Sequence, residues 1–283
     1  MSFAQNLTKA LDVRPYPANI LNKLVDGRTR FNKLGVDRLL GYAGVASPGD
    51  VYPPQDQDGV YDLIGQVEKN AGRRVFQSRA IYYIFLDFSP EIADSTVAQY
   101  YAAQMWMSEN EQKLVQSLWF LDRGHTDEAF ACLGYDFDLP EALHEYIVLA
   151  LADQKPALVA SYLAARGIPG TYIPALVSSL ATRGKLYEIL EIARAFGEPE
   201  FLAEMADAAL LSRPTALELA QLPYTAEEWQ VVSTQLDLAS DKELVRHIKL
   251  VRALHIGDSA TLDELQGSDL TANLFIKKAQ VQR

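Results

Sequence analysis

Apolar residues recur at helical spacing along most of this chain. Ile20, Leu21, Leu24 and Val25, then Phe31, Leu34, Leu39 and Leu40, form two short stripes separated by Gly27. From Val60 onward the same three-and-four rhythm runs through Tyr61, Ile64 and Val67, then Val75, Ala80, Ile81, Tyr83, Ile84 and Leu86, and on through nearly every later segment. The spacing predicts helices near 60–71, 74–88, 92–107, 109–123, 126–133, 140–153, 155–166, 171–183, 185–196, 198–211, 213–221, 225–238, 241–255, 258–265 and 269–281. No segment requires a strand.

Polar punctuation supports this reading. Ser108-Glu109-Asn110-Glu111, Thr225-Ala226-Glu227-Glu228 and Ser240-Asp241-Lys242-Glu243 fit the capping box, in which the first side chain and the Glu three residues on satisfy each other's free amides. Asp138-Leu139-Pro140-Glu141 adds a start with proline at an early helical position. Arg123-Gly124, Arg166-Gly167 and Arg183-Gly184 read as stops: glycine takes the left-handed conformation, and arginine faces the negative end of the helix dipole. Gly134, Gly197 and Gly257 read as further stops. Short helices in series, joined by tight turns, lie antiparallel to their neighbours. The expected fold is therefore all-α: an α-solenoid of short antiparallel helices, a degenerate helical repeat with no sheet.

Residues 1–30 are expected to be an N-terminal lead-in and first short helix, loosely ordered up to Pro15-Tyr16-Pro17, and 31–283 the solenoid domain. Within it, four glycines and three prolines between Gly41 and Gly59 predict a long loop that either packs in order or makes contacts. Ile81 to Phe88 is the most apolar run, far short of the roughly 20 residues that cross a bilayer, and reads as a buried segment. Neither a signal peptide nor a transit peptide is evident at the N-terminus.

The chain has 283 residues with a single cysteine, Cys132, so it forms no intramolecular disulfide and is expected to be intracellular. Its formal net charge of -11 opposes a broad nucleic-acid or anionic-membrane footprint. Glycine-rich phosphate loops, the Gly-x-Ser-x-Gly elbow and the His-Glu-x-x-His zinc pattern are all missing, so no cofactor or metal is expected. His125, His144, His247 and His255 stand apart in the sequence. Cys132 sits among apolar neighbours that raise a thiol's pKa, while Asp127-Glu128 and Glu227-Glu228 fall in first turns, where acids answer the helix dipole. The aromatic series Tyr82, Tyr83, Phe85, Phe88, Tyr100, Tyr101, Trp106, Trp119 and Phe120 has only Lys113 between Arg79 and Arg123, too few cations for a phosphate path, and reads as packed helical core. Lys277-Lys278 reads as a solvated last turn.

Two stretches carry a resemblance. Ala80-Ile81-Tyr82-Tyr83-Ile84-Phe85-Leu86-Asp87, preceded by the Val51-Tyr52-Pro53-Pro54 loop and a helix, resembles the ELYS-like domain of nuclear-pore proteins. So does Leu118-Trp119-Phe120-Leu121-Asp122-Arg123-Gly124-His125-Thr126-Asp127-Glu128-Ala129, followed by Leu139-Pro140. The motifs cover about residues 35–150; the remainder is similar in architecture only. In its short fungal form this family resembles the helical domain alone. The resemblance implies a non-enzymatic subunit of the Y-shaped coat complex at the nuclear envelope, docking near a β-propeller nucleoporin and an α-solenoid nucleoporin. It implies no small-molecule substrate and no membrane insertion. Larger animal relatives carry an N-terminal propeller and a tail with AT-hook motifs; this sequence has neither a propeller-length leader nor Arg-Gly-Arg-Pro, and its acidity also argues against direct DNA binding.

The family's motifs bring no catalytic residues with them. Partner contacts are expected at residues a monomer has least reason to expose: Tyr42, Tyr52, Pro53 and Pro54 in the loop, and Trp229 on the helix after Thr225. Two other readings stay open from the sequence. One is a helical-repeat adaptor of another assembly, such as a vesicle coat or a proteasome-lid-like complex. The other is an all-α enzyme with a site assembled from residues such as His144, Glu145 and Tyr146.

Overall fold

The computed structural model describes every residue except 1, 12, 14, 15, 70, 71, 89–95, 134–138, 167–172 and 266–283. The described residues form 18 α-helices and one short 3-10 turn, with no strand among them. The protein is an all-α helical repeat, and it divides into two compact units, Met1–Arg166 and Gly167–Arg283. The expected helix at 269–281, with Lys277-Lys278, lies outside the described residues, as do the stops at Gly134 and Gly167.

The first unit contains α1 (Phe3–Leu7), α2 (Ala18–Phe31), α3 (Gly35–Ala43), α4 (Pro48–Val51), α5 (Gln57–Glu68), α6 (Arg74–Asp87), α7 (Thr96–Gln104), α8 (Glu109–Asp122), α9 (Thr126–Cys132), α10 (Glu141–Gln154) and α11 (Pro156–Arg166). Helix α3 is its hub, touching α4, α5, α6, α8 and α10. Its apolar face (Val36, Leu39, Leu40 and Ala43) is fully buried. Helix α6 is buried on all sides from Ser78 to Leu86, which a helix apolar around its whole circumference requires. No helix among the described residues is long and apolar enough to cross a membrane.

The second unit contains α12 (Ile173–Ala181), α13 (Leu186–Phe196), α14 (Glu200–Leu210), α15 (Arg213–Leu219), α16 (Ala226–Leu238), α17 (Lys242–Ile256) and α18 (Ser259–Leu265). Here most helices pack on a sequence neighbour, and α12 packs on α14, α14 on α16, α13 on α15 and α15 on α17. That nearest-neighbour pattern is the repeat logic of a solenoid.

Several local expectations need correction. Residues 3–10 of the lead-in are helical: α1 carries a Ser2/Gln5 capping box, and a 3-10 turn follows at Thr8–Ala10. Gly27 separates no stripes but lies buried inside α2, where an added Cβ would come within 2.7 Å of Leu34. The 41–59 segment is not continuous loop: α3 runs into it, α5 starts before it ends, and α4 sits between them. Helix α17 is capped by Asp241, which accepts from the Leu244 amide, and not by Ser240. Pro140 occupies the N-cap of α10 rather than a position inside the helix. Tyr82, Tyr83, Phe85 and Tyr101 are core as expected, but Tyr100 is half exposed and Trp106 points into solvent.

The remaining punctuation matches the sequence. Capping boxes open α8 at Ser108/Glu111 and α16 at Thr225/Glu228. Gly124, Gly184, Gly197 and Gly257 follow their helices with φ of 71, 68, 67 and 75°.

Candidate functional site

The two aspartates of the family motifs terminate α6 and α8, and both turn into the first unit. The Asp87 side chain is fully buried and takes four donors. The Tyr16 and Tyr52 hydroxyls donate to Oδ2 at 2.7 Å each, the Trp119 indole N–H donates to Oδ1 at 2.8 Å, and Arg123 forms an ion pair through Nη2. The Arg123 guanidinium lies 3.8 Å from the centre of the Trp119 ring. Arg123 therefore leaves its own helix end to neutralise Asp87, a role its place beside Gly124 does not disclose. A buried charge is tolerable only when paired and hydrogen-bonded in this way. Burial alone would lower the Arg123 pKa, but Asp87 and the surrounding tyrosines more than offset it and hold the guanidinium above its ordinary range.

Asp122 closes the other end of the cluster. Its Oδ1 accepts from the Gly35 amide at 2.8 Å and from the Tyr146 hydroxyl; its Oδ2 accepts from the Val36 amide at 2.9 Å and the Tyr83 hydroxyl at 2.8 Å. The carboxylate from α8 thus caps the N-terminus of α3, satisfying amides that have no partner inside their own helix. Gly35 permits this approach, since a Cβ there would sit 3.0 Å from Tyr146 and 3.2 Å from Asp122 and Leu118. Burial raises the Asp122 pKa to about 6, against the opposing pull of its four hydrogen bonds. Tyr16, Tyr52, Tyr83 and Tyr146 are all pushed well above the ordinary tyrosine value, burial being the largest cause in each.

A third carboxylate ties this cluster to the loop. Arg28 donates to both oxygens of Asp37, at 2.9 and 2.7 Å, and to the Tyr52 carbonyl at 2.9 Å, while Asp37 accepts from the Leu34 amide at 3.0 Å. Asp87 and Asp122 have no lone pair left for a substrate proton, so this arrangement clamps helices together and offers no general base.

The expected contact residues divide between the units. Tyr52 is 1% exposed and its hydroxyl is spent on Asp87, so it packs as a core residue rather than an exposed one; Pro54 is buried too. Pro53, joined to Tyr52 by a cis peptide bond, is half-buried. Tyr42 stacks on Phe76, ring centres 5.0 Å apart, beside an open cleft lined by Gly72, Arg73, Arg74 and Val75. Trp229 belongs to the second unit, where it and Tyr224 each lie 5.3 Å from the Arg252 guanidinium. Arg252 in turn donates to the Leu222 carbonyl at 2.5 Å and fixes the turn before α16.

The enzyme trio points to three separate partners. His144 Nδ1 lies 3.1 Å from the Tyr162 hydroxyl, Glu145 pairs with Arg38 at 3.8 Å, and Tyr146 serves Asp122. Among the described residues no group of three or more His, Cys, Asp and Glu side chains is placed to hold a metal ion. Burial raises the Cys132 thiol's pKa, although the residue is partly exposed. Residue-level reading missed the Asp87–Arg123 pair, Asp122 as a cap and the Arg28–Asp37 fork. One signal was available for the first two: an aspartate ending an otherwise apolar helix.

An all-helical scaffold organised by motif carboxylates, with its polar groups spent on helix packing, is the class of protein these features define. The model of the ELYS family, described as nuclear pore complex assembly, matches residues 33–238, and the chain belongs to that family. The match spans α3, α6 and α8 with both aspartates, and it places the protein among nucleoporins at the pores of the nuclear envelope. No curated protein matches the chain.

Proposed function

We propose that this chain is a structural scaffold subunit of the Y-shaped coat of the nuclear pore, docking onto a β-propeller subunit and an α-solenoid subunit without chemistry of its own. Its role would be to support pore assembly and the transport that depends on it. The observation that carries this reading is the family match over residues 33–238, whose best-defined polar cluster is committed to holding α3, α6 and α8 together. ELYS nucleoporins are a structural, non-enzymatic family.

Affinity purification of the tagged chain from its own cells, with mass spectrometry of the recovered proteins, tests it. The expected result is recovery of propeller and solenoid nucleoporins in near-equal amounts. Recovery of a different helical assembly, or of nothing, would reject this reading.

A further inference from the structure

Among the described residues, five helices are followed by glycine in the left-handed region: Gly44 at φ 100° and Gly124, Gly184, Gly197 and Gly257 between 67 and 75°. Helix α7 ends the same way, but on Trp106, at φ 55°. The Trp106 amide donates to the Ala103 carbonyl at 3.2 Å and the Met107 amide to the Ala102 carbonyl at 2.9 Å, the paired bonds of a Schellman stop. An L-residue is disfavoured there because its Cβ crowds the carbonyl oxygen. Among the described residues no packing compensates, since Trp106 is 92% exposed.

The strained residue is also held firmly. Met107 is buried directly after it, Ser108 caps α8 one position further on, and the Gln112 side-chain amide donates to the Met107 carbonyl at 3.0 Å. Met105 and Tyr100 are half exposed nearby in the sequence, and Phe3 lies 6.0 Å from the Tyr100 ring. A rigid, solvent-facing indole has already lost most of the backbone freedom that binding would otherwise cost. Strain combined with exposure points to a role outside the monomer.

The charge of the chain sets the sign of the partner. Glu109, three residues on, has a side chain 77% exposed and is paired with Lys113 at 2.6 Å, so the acidity that counts is the chain's formal net charge of -11. A net acidic chain is repelled by anionic bilayer surfaces and attracted to a basic rim. We infer that Trp106 is the anchor by which this chain inserts into an apolar pocket, rimmed by Lys or Arg, on a folded protein partner. Only the identification of that partner as a pore coat subunit rests on the scaffold reading.

The test compares wild type, Trp106→Gly, Trp106→Asn and Glu109→Lys in the full chain. Each partner that wild type recovers is identified by mass spectrometry, purified and titrated against each variant by calorimetry. Because glycine removes the strain, Trp106→Gly should melt at the same temperature as wild type or higher, yet bind the partner at least tenfold more weakly. Trp106→Asn provides the same comparison should the glycine variant fold poorly, since asparagine tolerates this φ. Glu109→Lys should weaken binding and flatten its salt dependence. Binding of every purified partner at wild-type affinity by a folded Trp106 variant would overturn the inference, whatever the partner is. So would Trp106-dependent sedimentation with phosphatidylcholine–phosphatidylserine vesicles, which would assign the indole to a membrane. Failure of wild type to recover any nucleoporin would reject the scaffold reading separately.

Discussion

Asp122 takes four donors, and its pKa is still raised, because desolvation of a fully buried carboxylate outweighs the hydrogen bonds made to its charged form. The sign of its pH dependence follows. A carboxyl raised in the folded state binds its proton more tightly than in the unfolded chain, so its stabilising contribution is complete below about pH 4 and is lost as pH rises through about 6. A rise from 3.8 to about 6 is worth on the order of 3 kcal/mol. Glu228, held below the carboxylate range by its hydrogen bond to Arg194, works in the opposite sense, so the site is best read alone. Carbon-13 NMR of the Asp122 carboxyl should give a midpoint near 6, and a midpoint below 4.5 would show that the hydrogen bonds win. Arg123→Ala tests the neighbouring pair, since it leaves the buried Asp87 carboxyl without its ion-pair partner. Urea unfolding at pH 7 should show a loss of about 3–5 kcal/mol, whereas a loss under 1 would mean that water or another cation replaces the guanidinium.

Helix α3 shows what glycine does at the scale of an element, because two of its glycines make opposite predictions. Gly35 sits under Tyr146, Leu118 and Asp122, so Gly35→Ala should force the Asp122 cap away and cost about 1–3 kcal/mol. Gly41 lies in the same helix with no atom within 4 Å of an added Cβ, so Gly41→Ala should stabilise by about 0.5–1 kcal/mol. Thermal melting of the two variants checks both signs. The elements themselves were legible where the signal is local: capping boxes at Ser108 and Thr225 and stops at Gly124, Gly184, Gly197 and Gly257 stand where the sequence put them. The hydrogen bond from Gly35 to Asp122 spans 87 positions, and no periodicity encodes which aspartate will meet which helix end. Trp106 misled for a related reason. Its aromatic neighbours implied burial, but the α7–α8 turn, not composition, decides which way the ring faces. Of the expected contact residues, Tyr52 is buried in the core, which a Tyr-Pro-Pro segment does not disclose until the buried acceptor at Asp87 is known.

For the molecule as a whole, charge limits the partners more than any single site does. The chain has 26 basic residues against 37 acidic ones, and many of the described basic side chains are paired with carboxylates. Arg28 serves Asp37, Arg123 serves Asp87, Arg194 serves Glu228 and Lys249 serves Asp237. Binding to duplex DNA draws its affinity from counterions released when lysines and arginines replace them along the phosphates, and cations already committed to carboxylates contribute little to that exchange. This chain should therefore give no saturable binding to a labelled duplex in 150 mM salt, where basic nucleic-acid domains bind nonspecifically at roughly 10⁻⁴ to 10⁻⁶ M. Fluorescence anisotropy over a salt series decides the point. Tight binding that weakens steeply with salt would reveal a basic face and move the molecule from protein scaffold towards chromatin contact. A flat trace would leave recognition to exposed apolar side chains on an acidic surface. Such a surface favours partners whose pockets are apolar and rimmed with cations, and Trp106 is the residue best placed to meet one.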